Sequence, residues 1–213
     1  DREITSLQDA FKDKTQLDNL TLEKCMLDNC ESYYNVVRNT KIVRFKLTDK
    51  QTRNVKDMTY AVYGISTLEE LDLSECTFPK ATNVAAMCYS IPKITKLDLH
   101  SATFEKCGNA TFLIADSNFV EVDLRNATFK STCTLQYFAR YATKLETIYL
   151  KPNGLQVSVE FPHSSKLTEQ SIVNIFNAVA ADGITLTFHA TVYAMIEQQL
   201  EIEDSISRSE ERR

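Results

Sequence analysis

Six Leu-x-Leu anchors recur down the chain, and their spacing constrains the fold more than any other feature. They are Leu20-Thr21-Leu22, Phe45-Lys46-Leu47, Leu71-Asp72-Leu73, Leu97-Asp98-Leu99, Val122-Asp123-Leu124 and Ile148-Tyr149-Leu150. The steps between them are 25, 26, 26, 25 and 26 residues. The flanking positions keep phase. Three residues ahead of each anchor stand Leu17, Ile42, Leu68, Ile94, Phe119 and Leu145. Three residues after its second apolar residue come Cys25, Lys50, Cys76, Ala102, Ala127 and Asn153, and two further on Leu27, Thr52, Phe78, Phe104, Phe129 and Leu155. The stretch Leu68 to Phe78 is the clearest copy. Repeat two is the weakest, with Lys50 and Thr52 at two of these positions. One such unit cannot bury its own apolar side, whereas stacked units bury it against each other.

The Leu-x-x-Leu-x-Leu-x-x-Cys/Asn pattern at this period predicts an α/β leucine-rich-repeat solenoid. The anchors form a parallel sheet on a concave face, with strands ~4.8 Å apart. About six repeats of 25–26 residues fill residues 17–155. The other half of each repeat carries Val55, Met58, Ala61 and Val62, then Val84, Met87 and Cys88. Ala110, Leu113 and Ile114 follow, and then Leu135, Phe138 and Ala139. That i, i+3, i+4 spacing predicts a short helix or 3₁₀ turn, with Asn54, Asn83, Asn109 and Thr134 as caps. Residues 1–16 lack the motif. Their stripe of Ile4, Leu7, Ala10 and Phe11 predicts a helical N-terminal cap. Residues 156–213 form a C-terminal capping repeat of two strands (157–161 and 184–188) and two helices (171–181 and 190–206). Thr168 caps the first helix, inside a Leu167/Ile172 hydrophobic staple. All three segments belong to one structural domain.

The repeats resemble those of bacterial BspA-like leucine-rich repeat proteins. The residues that carry the likeness are Leu71-Asp72-Leu73-Ser74, then Phe78, then Asn83-Val84-Ala85-Ala86-Met87. The likeness spans about residues 17–155 and is strongest over 68–129. Cys88 stands where that family usually has Phe. The segment from Lys166 to Ala181, followed by a Thr-Leu-Thr strand, resembles the closing region of such proteins from gut bacteria and their phages. The resemblance implies surface display, adhesion or host recognition within a longer polypeptide at the cell surface or secreted. The alternative it leaves open is a structural or receptor-binding part of a phage virion.

Chemistry offers less. The net charge of −5 gives no basic stripe for nucleic acid. Four glycines leave little room for a phosphate loop, and no run approaches the ~18 apolar residues of a membrane span. Six cysteines fit neither a zinc spacing nor a C-x-x-C pair, and they read as buried, reduced thiols. Among pairs in different repeats, Cys107 and Cys133 are the one the register best brings within disulfide reach.

Alternation along the strands directs three columns of side chains outward, and these are the candidate ligand-binding surface. One column holds Lys46, Asp72, Asp98, Asp123 and Tyr149, after Thr21. The column before it holds Arg44, Glu70, Lys96 and Glu121, between Asn19 and Thr147. The column after it runs Glu23, Thr48, Ser74, His100, Arg125 and Lys151. Three stacked aspartates repel one another unless Lys46, Lys96 and Arg125 offset them. They could be an oxygen-ligand cation site, but no Gly-containing calcium loop accompanies them. A solvated charged face accounts for them better. His100 beside the aspartates resembles an acid/base cluster, yet no nucleophile has a matching spacing. The expectation is therefore a non-catalytic module with no cofactor and no metal, binding a protein or glycan.

Overall fold

The computed structural model describes residues 3–22 and 24–210, and for 202–210 the backbone alone. Glu23 lies outside the described residues. The chain is a β-solenoid of about six turns. Its short strands are β1 (Arg44–Lys46), β2 (Glu70–Asp72), β3 (Lys96–Asp98), β4 (Glu121–Leu124) and β5 (Thr147–Leu150), all of which pair in parallel. The register is that of the sequence columns. Arg44, Phe45 and Lys46 face Glu70, Leu71 and Asp72, and Asp98 faces Asp123, which faces Tyr149. The anchor at Leu20 forms no strand.

The ladder is interrupted once. β1 and β2 form one sheet and β3, β4 and β5 another, with no strand pairing between β2 and β3. A groove of about 500 Å³ opens there, lined by Glu70, Leu71, Asp72, Lys96 and Asp98 among others. Leu71 is half-buried at this break, whereas Phe45, Leu97, Val122 and Ile148 at the same motif position are buried.

The opposite side of each turn takes the turn form rather than the helix of the two the spacing allowed. Val55, Met58, Ala61, Val62, Val84, Met87, Cys88, Ala110, Leu113, Ile114, Leu135, Phe138 and Ala139 are buried as the spacing requires, but the backbone is a run of tight turns. Left-handed residues recur in register at Asp9, Asn35, Tyr60, Ala86, Phe112 and Tyr137. A second set recurs at Asp13, Asn39, Gly64, Ser90, Asp116 and Tyr141. Two left-handed residues four positions apart in each turn prevent a right-handed helix from propagating there. Some backbone donors close a turn to the residue three back, as Val36 does to Tyr33, Ala61 to Met58 and Met87 to Val84, and those between them reach the neighbouring turn. Tyr33, Asn35, Val37 and Asn39 donate N–H to the carbonyls of Asp57, Thr59, Ala61 and Tyr63. The cap residues keep their chemistry without a helix, since the Oδ1 atoms of Asn83 and Asn109 accept the N–H two residues on. Asp57 rather than Asn54 is their counterpart, because the bridges run Ser6, Ser32, Asp57, Asn83, Asn109, Thr134.

Residues 3–16 are likewise no helical cap. They form the return half of a further turn, with Leu7, Asp9, Phe11 and Asp13 donating to the carbonyls of Ser32, Tyr34, Val36 and Arg38. Positive φ at Asp9 and Asp13 ends any helix. Repeat two departs from the motif because it holds α1 (Asp49–Thr52). Thr52 is buried with its hydroxyl donating to the Thr48 carbonyl, and Lys50 is exposed. Buried Gln51 reaches across to the Leu22 carbonyl at 2.6 Å.

The C-terminal region follows the pattern more closely. β6 (Val159–Phe161) pairs with β7 (Leu186–Phe188), and α2 (Glu169–Ala178) and α3 (Ala190–Glu210) are its helices. Thr168 Oγ1 caps α2 by accepting the Ser171 N–H. Buried rings form a spine through the stack. Phe78, Phe104, Phe129, Phe138, Phe161 and Phe188 touch in succession at centroid distances of 5.7–6.2 Å. Cys30, Cys76, Cys88, Cys107 and Cys133 are buried thiols as expected. Cys25 is exposed, on the first turn, where the described residues place no further turn over it.

Candidate functional site

The strand face carries the predicted charges, and they are engaged with one another. Arg44 pairs with Glu70 at 3.0 Å, Lys46 with Asp72 at 2.9 Å, and Lys96 with Glu121 at 2.9 Å. Arg125 grips the Asp123 carboxylate through Nε and Nη2 and lies over the Tyr149 ring. Lys151 donates to the Thr128 hydroxyl. Two of the three aspartates, Asp72 and Asp123, are thus offset by a cation. Lys46 and Arg125 serve as expected, but Lys96 turns to Glu121, and Asp98 has the His100 ring as its hydrogen-bond partner.

The aspartates share a local reason for being there. Each Oδ1 accepts the backbone N–H two residues on, from Ser74, His100 and Arg125, the Asx turn that leaves the strand. The His100–Asp98 contact at 2.7 Å is part of that turn, and the imidazole is 45% exposed. No hydroxyl or thiol hydrogen-bonds to this ring among the described residues. Nor do any three His, Cys, Asp or Glu side chains there gather to hold a metal ion. No helix among them is long and apolar enough to cross a membrane.

Burial raises the Asp72 carboxyl, but hydrogen bonds from Lys46 and Ser74 outweigh it and hold the group below its ordinary value. A depressed carboxyl stabilises the fold above the unfolded value near ~3.9 and loses that contribution as pH falls through the folded value. Asp72→Asn keeps the Asx acceptor and removes the charge. Its melting-temperature deficit at neutral pH is expected to shrink between about pH 5 and pH 2. A deficit that stays constant in thermal melts across that range would contradict the ion pair.

A second surface, on the turn side, was not read from the sequence. Tyr34, Tyr60, Tyr63, Tyr89, Phe112 and Tyr137 touch in succession across the turns at 5.1–6.4 Å between ring centroids. Arg38 lies over Tyr60 and Tyr63, and Arg140 over Tyr137 and Tyr141. Arg140 also donates to the Tyr141 hydroxyl at 3.1 Å, and Tyr141 packs on His163 at 4.6 Å. A cavity of about 270 Å³ lies at this end, lined by Tyr137, Arg140, Glu160, Pro162 and His163. The ridge is half-buried for most of its length and exposed at Tyr137 (40%) and Tyr141 (45%). Its signal is the same period as the anchors, for Tyr63 and Tyr89 stand 26 residues apart, as do Tyr34 and Tyr60.

The backbone makes this ridge unusual. Tyr60, Phe112, Tyr137 and Tyr141 all have φ between 55° and 58°. At the equivalent left-handed positions the chain otherwise uses Asp9, Asn35, Asp13, Asn39, Gly64 and Asp116, residue types that tolerate this conformation, together with Ala86 and Ser90. Aromatic residues do not favour it; the core residues Phe78 and Phe104 adopt it where burial repays the cost, whereas Tyr137 and Tyr141 adopt it while exposed.

Comparison of the chain with protein-family models, with curated proteins and with solved structures found no match.

Proposed function

We propose that this chain is a non-catalytic recognition module of leucine-rich-repeat type that binds a protein or glycan, as its likeness to BspA-like surface proteins implies. The observation that carries this reading is the aromatic ridge built on left-handed backbone. Conformational cost accepted at Tyr137 and Tyr141, which are exposed and gain no core burial in return, points to selection for something other than stability. Tyrosine and arginine dominate binding hot spots because they offer broad, stiff contact area with a polar tip. The strand face is the weaker candidate within the same reading. Its charges already satisfy each other, and a ligand there must break those pairs to form its own.

An oligosaccharide array and a panel of host surface proteins provide the test. For any ligand found, the double variant Tyr137→Ala/Tyr141→Ala is expected to weaken binding by about tenfold or more, some 1.4 kcal/mol. Lys46→Ala/Arg125→Ala is expected to leave it nearly unchanged. The reverse ranking would move the site to the strand face. Absence of any ligand across both panels would count against recognition as the function.

A further inference from the structure

Cys107 and Cys133 lie in adjacent turns with their sulfur atoms 3.7 Å apart. The backbone beside them is pinned across the same interface, since Thr134 N–H donates to the Gly108 carbonyl at 3.0 Å. Both residues are buried, at 3% and 4% exposure, but exposed Lys106, Gly108, Ser131 and Thr132 flank them directly. No other cysteine has such a neighbour in its column. Cys30 stacks under Val55, Cys76 lies between Lys50 and Ala102, and Cys88 between Val62 and Ile114. We infer that Cys107 and Cys133 are a latent cross-link site, closed to an inter-turn disulfide by a small-molecule disulfide such as oxidised glutathione.

The geometry asks for little movement. Parallel turns ~4.8 Å apart fall within the ~4.4–6.8 Å Cα separation that disulfides use. Bringing sulfurs from 3.7 Å to bonding distance takes a shift of about 1.7 Å, within reach of side-chain rotation. Entry needs only local opening of the loops at 105–108 and 130–132, well short of global unfolding.

The exchange proceeds in two displacements. The Cys107 thiolate attacks one sulfur of the oxidant, whose S–S bond breaks and releases one glutathione thiolate. The Cys133 thiolate then attacks Cys107 Sγ and expels the second. Two electrons pass to the oxidant, and the two cysteine protons end on the two glutathione thiols. The order follows from the hydrogen bond between the pair. Donation by the Cys133 S–H holds Cys107 below the ordinary thiol value and pushes Cys133 above it, so Cys107 supplies the first thiolate.

The full chain is equilibrated in mixtures of oxidised and reduced glutathione, acid-quenched, alkylated and digested with trypsin without reduction. The expected product joins peptide 107–125 to peptide 131–140. The melting temperature is expected to rise on the order of 5–10 °C, because the cross-link restricts the unfolded chain. Cys133→Ala, which copies Ala81 of the same column, is expected to lose both the joined peptide and the rise. Cys133→Val, which copies Val55, gives the same readout if the alanine variant folds poorly. Glutathione retained on Cys107 without the joined peptide would overturn the inference. So would preferential linkage of any other pair, or a joined peptide with no gain in melting temperature.

Discussion

Phe104→Ala is expected to cost about 3–5 kcal/mol, measured by urea denaturation. Phe104 is fully buried and sits in the middle of the ring spine, 5.7 Å from Phe78 and 5.9 Å from Phe129. Truncation removes the transfer energy of a large core side chain and leaves a void between two rigid rings. It also removes two ring contacts worth about 0.5–1.5 kcal/mol each beyond area. Phe104 has φ 49°, but alanine is no better suited to that backbone, so the measured loss reports the ring. In a stacked array each turn contacts only its neighbours. The damage therefore falls on the two interfaces that join the early turns to the later ones. A broadened or two-step transition would show the stack dividing there. A loss under about 1 kcal/mol would mean the spine does not carry the core.

Leu97→Ala comes second, at about 2–5 kcal/mol. Its value is in comparison with Leu71→Ala. The two leucines hold the same position in the same motif, and by sequence they are equivalent. In the structure Leu97 is 1% exposed on β3, paired with Val122 of β4. Leu71 is half-buried beside the groove where β2 and β3 fail to pair. A side chain already partly in water loses less on truncation, so Leu97→Ala is expected to be the more costly by about 1 kcal/mol or more. Equal losses in denaturant melts would mean that the sheet is closed in solution.

The difference between these two leucines marks where the sequence stopped being informative. The period, the outward columns and nearly all core positions were legible, because burial is periodic and so is the spacing of Leu, Ile, Val and Phe. The break between β2 and β3 left no mark in the motif. It depends on whether two backbones meet, which Asp72 and Asp98 do not reveal by their identity. The turn side was only partly legible, for a related reason. Apolar residues such as Val84, Met87 and Cys88 suit a short helix and a chain of tight turns equally well. The two differ in where the N–H groups go, all within the segment or alternately to the next turn. Asp9, Asn35, Asp13, Asn39 and Gly64 were the available clue to left-handed backbone. Tyr60, Phe112 and Tyr137 hid it, since aromatic residues do not ordinarily signal that conformation. Tracking only the apolar face also passed over the tyrosines, which repeat at the same interval on the outside.

The turn-side ladder gives the stack a direction. In the segments after each bridge, the earlier turn supplies the donors and the later turn the acceptors, as in Tyr33 to Asp57 and Ala110 to Thr134. Ordinary parallel strands alternate the two roles. The first described turn is left with the carbonyl oxygens of Ser6, Gln8, Ala10 and Lys12, which have no inter-turn partner among the described residues. Two such segments cannot satisfy each other, because after the bridge both offer only acceptors. A segment that pairs with those carbonyls must therefore bring donors, as the following part of a like-handed turn does.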